Sequence, residues 1–254
     1  MVIGYKRWRS QNYLLNRMSF RDLVRAYFTY PAIQVYIALC VASSALAIYW
    51  AQSVLPVLGA VAAAVLVYPL VWYLLHRFVL HGRWMYRSRW TARLWKRVHY
   101  DHHLHPNDLS VLFGALHNTL ITIFVATAPV GWLIGGAAGA AAAFAAGLAT
   151  TCFYEFCHCI QHLAYTPKLK MLQRMKKLHL AHHFHNEQGN YGITNFLWDR
   201  LLSTYYERPG SVPRSPTVRN LGYTGPEVAR YPWVARISDG TPSSGLVRDT
   251  QRAP

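Results

Sequence analysis

Residues 31–75 read PAIQVYIALCVASSALAIYWAQSVLPVLGAVAAAVLVYPLVWYLL, and residues 109–154 read LSVLFGALHNTLITIFVATAPVGWLIGGAAGAAAAFAAGLATTCFY. Neither stretch contains Asp, Glu, Lys or Arg. Each is about twice the ~20 apolar residues that cross a bilayer as one helix. Each also has a natural break near its middle, QSVLP (52–56) in the first and PVG (129–131) in the second. The sequence therefore predicts four membrane-spanning helices in two hairpins, at 31–52, 54–76, 109–128 and 131–154.

The charged residues all lie outside these stretches, in 1–30, 77–108 and 155–254. Lys and Arg number 26 against 10 Asp and Glu, an excess that in a soluble chain would suggest nucleic-acid binding. Only 14% of the residues are charged, however, against roughly 25% in soluble domains. Because basic loops of membrane proteins stay in the cytoplasm, we expect all three charged segments on that side. Membrane topology thus accounts for the basic excess, and we expect no nucleic-acid partner. The Ala- and Arg-rich composition suggests a bacterial inner membrane.

The predicted organisation is a single all-α membrane domain over 1–254. Residues 1–30 form a cytoplasmic interfacial helix, 31–206 a four-span catalytic core with a cytoplasmic helical cap, and 207–254 a loosely ordered tail. Before the first span, apolar residues recur at helical spacing, with Ser19 and Asp22 placed as a capping box. The basic residues and length of this leader predict insertion without cleavage. We expect structural roles for the four cysteines and close helix packing at Gly131, Gly135 and Gly139.

The 13 histidines are concentrated at the cytoplasmic ends of the second and fourth spans. They form the boxes HRFVLH (76–81), HYDHH (99–103), HCIQH (158–162) and HLAHH (179–183). On a helix, the triplets in the second and fourth boxes project from one face, as does the pair in the third box. The first box fits less well, because five helical residues leave His81 about 140° from His76. Gly82 could end the helix there and let His81 turn back.

The histidine boxes belong to an internal repeat. Each half has two spans, a His pair, then 82–98 or 163–178, then a triplet in a similar context, KRVHYDHHLH (96–105) or KKLHLAHHFH (176–185). Ten imidazoles exceed what one metal can bind, so the repeat predicts a two-metal centre. His105 and His185 lie about 240° from the first His of their triplets, and we place them outside the ligand set. His117 stands alone in the third span and is expected to be a hydrogen-bonded span residue.

Imidazole ligands suit iron, zinc or copper, and spacing does not choose among them. A His-rich centre at a membrane surface can attack unactivated lipid C–H bonds only by redox chemistry, which favours iron. We expect the ligands to donate their second N–H to a carboxylate or a backbone carbonyl. Four acids lie near enough in sequence to accept, although each could instead pair with a neighbouring Arg such as Arg200: Asp101, Asp108, Glu155 and Asp199.

The four boxes, followed by NYGITNFLWDRLLSTYY (190–206), resemble the membrane fatty acid hydroxylase and sterol desaturase superfamily. The resemblance covers about 68–206 and is closest to the fatty acid 2-hydroxylase branch, which has four residues inside the first box and three inside the third. It implies a non-haem di-iron site, with zinc as a possible substitute in purified protein, and O2 as co-substrate. The implied metal ligands are His76, His81, His99, His102, His103, His158, His162, His179, His182 and His183.

The resemblance implies hydroxylation of a membrane-lipid acyl chain, at carbon 2, and assigns no catalytic residue beyond the ligands. Electrons would come from a separate protein, a ferredoxin or a cytochrome-b-type protein with its reductase. Gly189, Gly192 and Trp198 are expected to shape the turn over the site. A sterol, carotenoid or ornithine-lipid hydroxylase or desaturase of the same superfamily stays open as an alternative. A metal transporter is disfavoured, because its ligands would lie near the bilayer midplane.

Overall fold

The computed structural model describes residues 13–237, and their regular structure is helical apart from one β-bridge between Leu14 and Asp108. Two π-helices (Leu75–Leu80 and Lys96–Tyr100) and two 3₁₀ turns (Leu15–Arg17 and Pro209–Ser211) accompany the α-helices. In chain order the α-helices are α1 (Phe20–Thr29), α2 (Pro31–Trp50), α3 (Val54–Leu74), α4 (Arg83–Arg87), α5 (Arg89–Trp95), α6 (Asp101–Leu104), α7 (Leu109–Leu112), α8 (Leu116–His162), α9 (Lys170–Phe184), α10 (Leu197–Leu201), α11 (Gly225–Arg230) and α12 (Trp233–Arg236).

Three segments are long and apolar enough to cross a membrane: Pro31–Trp50, Val54–Leu80 and Leu109–His162. The first two agree closely with the predicted spans at 31–52 and 54–76. Proline at the first position of α2 suits a helix start, because that residue's missing N–H has no intrahelical partner to lose. Both α2 and α3 pack mainly against α8, so these three helices form the body of the molecule.

Helix α8 folds back on itself at Gly135 and Gly136, whose backbone is not helical. A Cβ on Gly131 would collide with the Gly139 carbonyl, and the reverse also holds. Eight residues of straight helix would separate these two glycines by about 12 Å, so the chain must reverse between them.

The predicted break at 129–131, and with it the predicted span boundaries in 109–154, is wrong. Pro129 lies inside the helix, and the helical segments run from Leu116 to the reversal and onward to His162. The reversal needs a residue at φ +57°, and Gly136 adopts that left-handed conformation without the steric cost of a Cβ. The predicted close packing at the glycines is confirmed.

The predicted helix before the first span is confirmed as α1. The Ser19 hydroxyl accepts from the Asp22 N–H at 3.2 Å, and the Asp22 carboxylate accepts from the Ser19 N–H at 3.0 Å. This reciprocal pair satisfies two of the free N–H groups at the helix start. The face carrying Leu23 and Tyr27 is buried, and the Tyr27 hydroxyl donates to the Cys152 carbonyl of α8.

The segment 207–237 is ordered and packed, so the prediction of a loose tail is wrong for these residues; 238–254 lie outside the described residues. Tyr223 and Val234 are buried against Tyr86 and Trp95 of helices α4 and α5. The Trp233 indole N–H donates to the Tyr86 carbonyl at 2.9 Å. The segment has few aromatic residues and no helical periodicity. Each of these aromatic rings nevertheless buries a large apolar surface, which anchors the segment.

Candidate metal centre

The ten boxed histidines converge in two clusters of five, each with ligand atoms that all lie within 4.8 Å of one another. We call them the first group (His76, His81, His99, His103 and His182) and the second group (His102, His158, His162, His179 and His183). Each has the donors to hold a metal ion. Burial is close to complete for most of these side chains, and His81 is partly exposed.

The two groups do not follow the two halves of the repeat, because each triplet contributes its middle histidine to the other group. His102 packs with the second-half ligands, its Nε2 3.0 Å from His158 Nε2. His182 packs with the first-half ligands, its Nε2 3.2 Å from His103 Nε2. In a helix, residues i+3 and i+4 lie about 100° apart around the axis, so one triplet can face two sites. The two candidate sites are therefore tied together by reciprocal ligands.

A π-helical turn brings His76 and His81 together. The His81 N–H donates to the His76 carbonyl five residues earlier, at 3.1 Å, where an α-helix would use the residue four earlier. This wider turn returns His81 to the face of His76, and their ring centroids lie 4.9 Å apart. A second π-helix at Lys96–Tyr100 leads into the first triplet. The expected helix end beside Gly82 is confirmed, because the π-helix stops at Leu80 with His81 as its C-cap, and the π-turn supplies the expected return of His81.

The hydrogen bonds of the first group test whether a cation fits. Nδ1 of His103 donates to the Val218 carbonyl at 3.0 Å, and Nδ1 of His182 donates to the Gly189 carbonyl at 2.8 Å. In a neutral ring with its hydrogen on Nδ1, Nε2 carries the lone pair. The two Nε2 atoms nevertheless face each other at 3.2 Å. Two lone pairs so close repel unless a cation lies between them, so the arrangement fits a bound metal ion.

Burial keeps these imidazoles neutral, which is the form that binds metal. Removal from water lowers the pKa of His182 to about 4. The same effect, reinforced by neighbouring imidazoles, lowers the pKa values of His99, His102 and His183 far below the usual range. A neutral, pre-assembled cluster binds a cation without first losing protons at neutral pH.

Backbone carbonyls, one of the two expected kinds of acceptor, accept the second N–H of three first-group histidines. Besides the Val218 and Gly189 carbonyls, the Tyr191 carbonyl accepts from Nδ1 of His76 at 2.6 Å. The sequence pattern could not identify them, because every residue carries a carbonyl. Gly189 stands in the segment predicted to shape the turn, whereas Val218 lies in the predicted tail.

Within residues 13–237, the contacts of Asp108, Glu155 and Asp199 include no boxed histidine, so for these three acids the carboxylate version of that hypothesis is wrong. Asp101 pairs with Lys96 at 2.8 Å, Asp108 accepts from the Ser110 N–H at 2.9 Å, and Glu155 has a buried oxygen without a partner among residues 13–237. Asp199 acts indirectly, because it accepts from the N–H groups of Tyr191 and Gly192, each at 2.8 Å. Arg200 does not pair with it; its guanidinium lies 3.9 Å from the Tyr205 ring centroid.

The three remaining histidines lie outside both groups. His185 donates from Nε2 to the Val212 carbonyl at 2.9 Å, His105 ends α6, and His117 is exposed near the start of α8. All four cysteines are free thiols outside the clusters.

An aromatic cavity adjoins both groups. Its lining includes Trp72, Tyr154, Tyr191, Trp198, Thr194 and Asn195. The Tyr191 ring lies 5.1 Å from the His81 ring in the first group, and the Tyr154 ring lies 6.3 Å from the His158 ring in the second. Trp72 and Tyr154 stack at 5.3 Å. The cavity thus offers apolar walls and a few polar groups beside the clustered imidazoles.

Buried histidine clusters at the ends of membrane-length apolar helices describe a membrane protein with two candidate metal sites, and the comparisons identify its family. The fatty acid hydroxylase family model matches residues 61–204, so the chain belongs to this family. The resemblance drawn from the four boxes is confirmed.

Relatives and one solved structure support this assignment. The ceramide very long chain fatty acid hydroxylase SCS7 of Saccharomyces cerevisiae is 32% identical over 56% of this chain and 36% of its own. The dihydroceramide fatty acyl 2-hydroxylase FAH2 of Arabidopsis thaliana is 32% identical over 57% of this chain and 59% of its own. The structure of full-length scs7p, with only its hydroxylase domain visible, has a TM-score of 0.62 at 26% identity and covers 72% of this chain and 68% of that one. The chain spans about a third to three fifths of these two relatives' lengths.

Proposed function

We propose that this protein is an O2-dependent di-iron hydroxylase that adds one hydroxyl group to the acyl chain of a membrane lipid, at carbon 2. The observation that carries the proposal is the pair of five-histidine clusters, whose His81 and His158 rings lie beside Tyr191 and Tyr154 in the lining of an aromatic cavity. The relatives' names support the acyl-chain substrate and the position of attack, since they are ceramide and dihydroceramide fatty acyl hydroxylases.

In this proposal each group holds one iron ion through its five imidazoles. Bound iron would supply the one-electron chemistry with O2 that an unactivated C–H bond requires. The chain's own residues do the rest. The Tyr191, Gly189 and Val218 carbonyls orient three of the ligands, and burial keeps the imidazoles neutral and excludes water from the centre.

The cavity would orient the substrate. The cavity encloses only about 20 Å³, so its lining must widen before the substrate enters; Trp72, Tyr154 and Trp198 would then offer apolar surface to the acyl chain, and Thr194 and Asn195 would offer hydrogen bonds to the polar group at its head. Carbon 2 is adjacent to the carbonyl carbon of that head. A head held beside the histidine clusters therefore presents carbon 2 rather than a mid-chain carbon, which favours 2-hydroxylation over desaturation far along the chain.

For the membrane arrangement we propose four spans, with the reversal in α8 separating the third from the fourth. The charged cap and the metal centre would face the cytoplasm, in a bacterial inner membrane. The support is the sequence position of the basic residues, none of which lies within 31–76 or 109–154. We further propose a separate ferredoxin or cytochrome-b-type protein as the electron donor. In a variant whose native cysteines are replaced, external thiol reagents should label cysteines placed at Ser53 and Ala137 but not at Arg89 or Ser211.

Isotope labelling tests the reaction. Cells that express the protein are grown under ¹⁸O2, and their lipids are compared by mass spectrometry with those of cells expressing His158→Ala. The proposal expects ¹⁸O in a hydroxyl at acyl carbon 2 only with the unaltered protein. A new double bond, a hydroxylated sterol or head group, or a hydroxyl oxygen from water would contradict it.

A further inference from the structure

Glu187 is a buried acid that belongs to neither histidine group, and its side chain is only 4% exposed. One carboxylate oxygen, Oε1, accepts from two hydroxyls, Ser215 Oγ at 2.9 Å and Thr217 Oγ1 at 2.6 Å. The other, Oε2, is buried without a hydrogen-bond partner in the described part of the chain. Burying an acid costs free energy, so the contacts that Glu187 makes indicate a role for its side chain.

The two hydroxyls belong to a segment that we call the strap, residues 212–219. On one side the strap is joined to the end of the second triplet: its Ser215 N–H donates to the His185 carbonyl at 2.8 Å, and its Val212 carbonyl accepts from His185 Nε2 at 2.9 Å. On the other side it is joined to the end of the first triplet, where Arg219 donates to the Leu104 carbonyl. The strap therefore connects the two triplets.

The strap also reaches a histidine of the first group. Its Val218 carbonyl accepts from Nδ1 of His103 at 3.0 Å, and this bond fixes the ring so that Nε2 faces the other ligands. The strap contains no helix or strand that would hold this carbonyl in place. A turn at 216–222, in which the Thr217 carbonyl accepts from the Leu221 N–H at 2.8 Å, shapes the backbone locally, and Glu187 adds side-chain anchors at the residues three positions and one position before Val218.

We propose that Glu187 is a positioning residue that acts through Ser215, Thr217 and the Val218 carbonyl to orient His103, and so sets how firmly the first group retains its ion. The inference rests on the metal-binding part of the proposed function. Loss of a group that orients a metal ligand typically costs 10- to 100-fold in metal affinity. We expect that loss at the first group and not at the second, whose histidines make no hydrogen bond to the strap.

The test is zinc release from purified full-length protein into excess of a chromogenic chelator. Zinc stands in for iron because imidazole sites accept either ion. In Glu187→Ala, one of two zinc ions should leave about 10- to 100-fold faster than in the unaltered protein, and the other should leave at its usual rate. Glu187→Gln should release zinc almost normally, because an amide oxygen can accept both hydroxyl hydrogen bonds.

Two further variants separate positioning from general loss of structure. Ser215→Ala combined with Thr217→Val keeps Glu187 but removes its bonds, and it should reproduce the fast phase of Glu187→Ala. Glu207→Ala is the matched control, because Glu207 is an exposed acid paired with Arg174 on the surface; its release should be unchanged.

The release rates separate the role of Glu187 from the existence of the metal centre. Equal acceleration of both ions in Glu187→Ala, unchanged release, or release from Glu187→Gln as fast as from the alanine variant would each overturn the positioning role. If the unaltered protein binds no zinc or iron at all, the metal centre itself, and with it the proposed function, is wrong. The inference about Glu187 can thus fail while the two-metal centre survives.

Discussion

The two histidine groups have the same number of imidazoles but different surroundings. In the first group, three Nδ1 atoms donate to the carbonyls of Tyr191, Gly189 and Val218. In the second group, four buried Nδ1 atoms have no hydrogen-bond partner within residues 13–237; they belong to His102, His162, His179 and His183. Hydrogen bonds of this kind fix a ring's tautomer and orientation and strengthen metal binding. The first group should therefore hold its ion more firmly than the second.

The difference shows what the internal repeat does and does not supply. Each half of the repeat contains five equivalent histidines. Because His102 lies in the second group and His182 in the first, each group also contains five. The three carbonyls that orient first-group rings all lie after the second triplet in the chain, in the 189–191 loop and in the strap. Neither the loop nor the strap has a counterpart in the sequence after the first triplet. Duplication thus accounts for the ligands, and the unrepeated C-terminal part accounts for the asymmetry.

The largest expected effect comes from removing an exchanged ligand. His102→Ala should remove the ion from the second group, and His182→Ala should remove it from the first, because each lies in the cluster formed mainly by the other half. Both variants should lose lipid hydroxylation by at least about 100-fold, as an altered ligand opens a coordination position. Elemental analysis and lipid mass spectrometry measure the two effects. His117→Ala is the control and should keep both ions; retention of both ions by His102→Ala would break the proposed ligand exchange.

A smaller effect is expected at Asp199, which holds the loop that carries the Tyr191 carbonyl. Its carboxylate accepts from two backbone N–H groups and from the Thr204 hydroxyl. Asp199→Ala would leave these buried donors unpaired, so we expect the free energy of unfolding to fall by about 3 kcal/mol. The first group should also release zinc faster. Denaturant unfolding of the detergent-solubilised protein provides the measurement, with Glu207→Ala as an exposed control. Unchanged release with lowered stability would limit Asp199 to a structural role.

The sequence predicted which histidines would cluster, but not which groups would accept their hydrogen bonds. The His boxes have rigid helical spacing, so their convergence could be predicted from i, i+3 and i+4 periodicity. The π-turn between His76 and His81 could not, because its pattern of apolar residues resembles that of an α-helix. Nor could the role of Val218, since its carbonyl is brought to His103 only by long-range packing of the strap. The reversal at Gly136 was missed because Pro129 gave a stronger local signal.

Gly189 carries another of the carbonyls that orient first-group rings. A Cβ at this position would collide with the Thr204 carbonyl, and the Gly189 carbonyl accepts from His182. Gly189→Ala should destabilise the protein by about 1–3 kcal/mol, since the loop must shift to relieve the overlap. It should also speed zinc release from the first group alone. Gly210→Ala, at a position with open space around it, should change neither unfolding nor release.

The smallest effects are expected at the histidines outside the groups. His185→Ala removes one bond to the strap, and we expect zinc release from the first group to rise by about fivefold or less, since the net contribution of one hydrogen bond is about 1 kcal/mol or below. His105→Ala should leave release unchanged. Loss of an ion from either variant would mean that the ligand set extends beyond the ten boxed histidines.

The most direct test of unequal metal binding is anomalous diffraction at the iron edge from crystals of the iron-loaded protein, before and after brief exposure to a chelator. Before exposure, two peaks should appear, one among the first-group histidines and one among the second-group histidines. After exposure, the first-group peak should remain and the second-group peak should weaken. A single peak before exposure, or earlier loss of the first-group peak, would contradict the account.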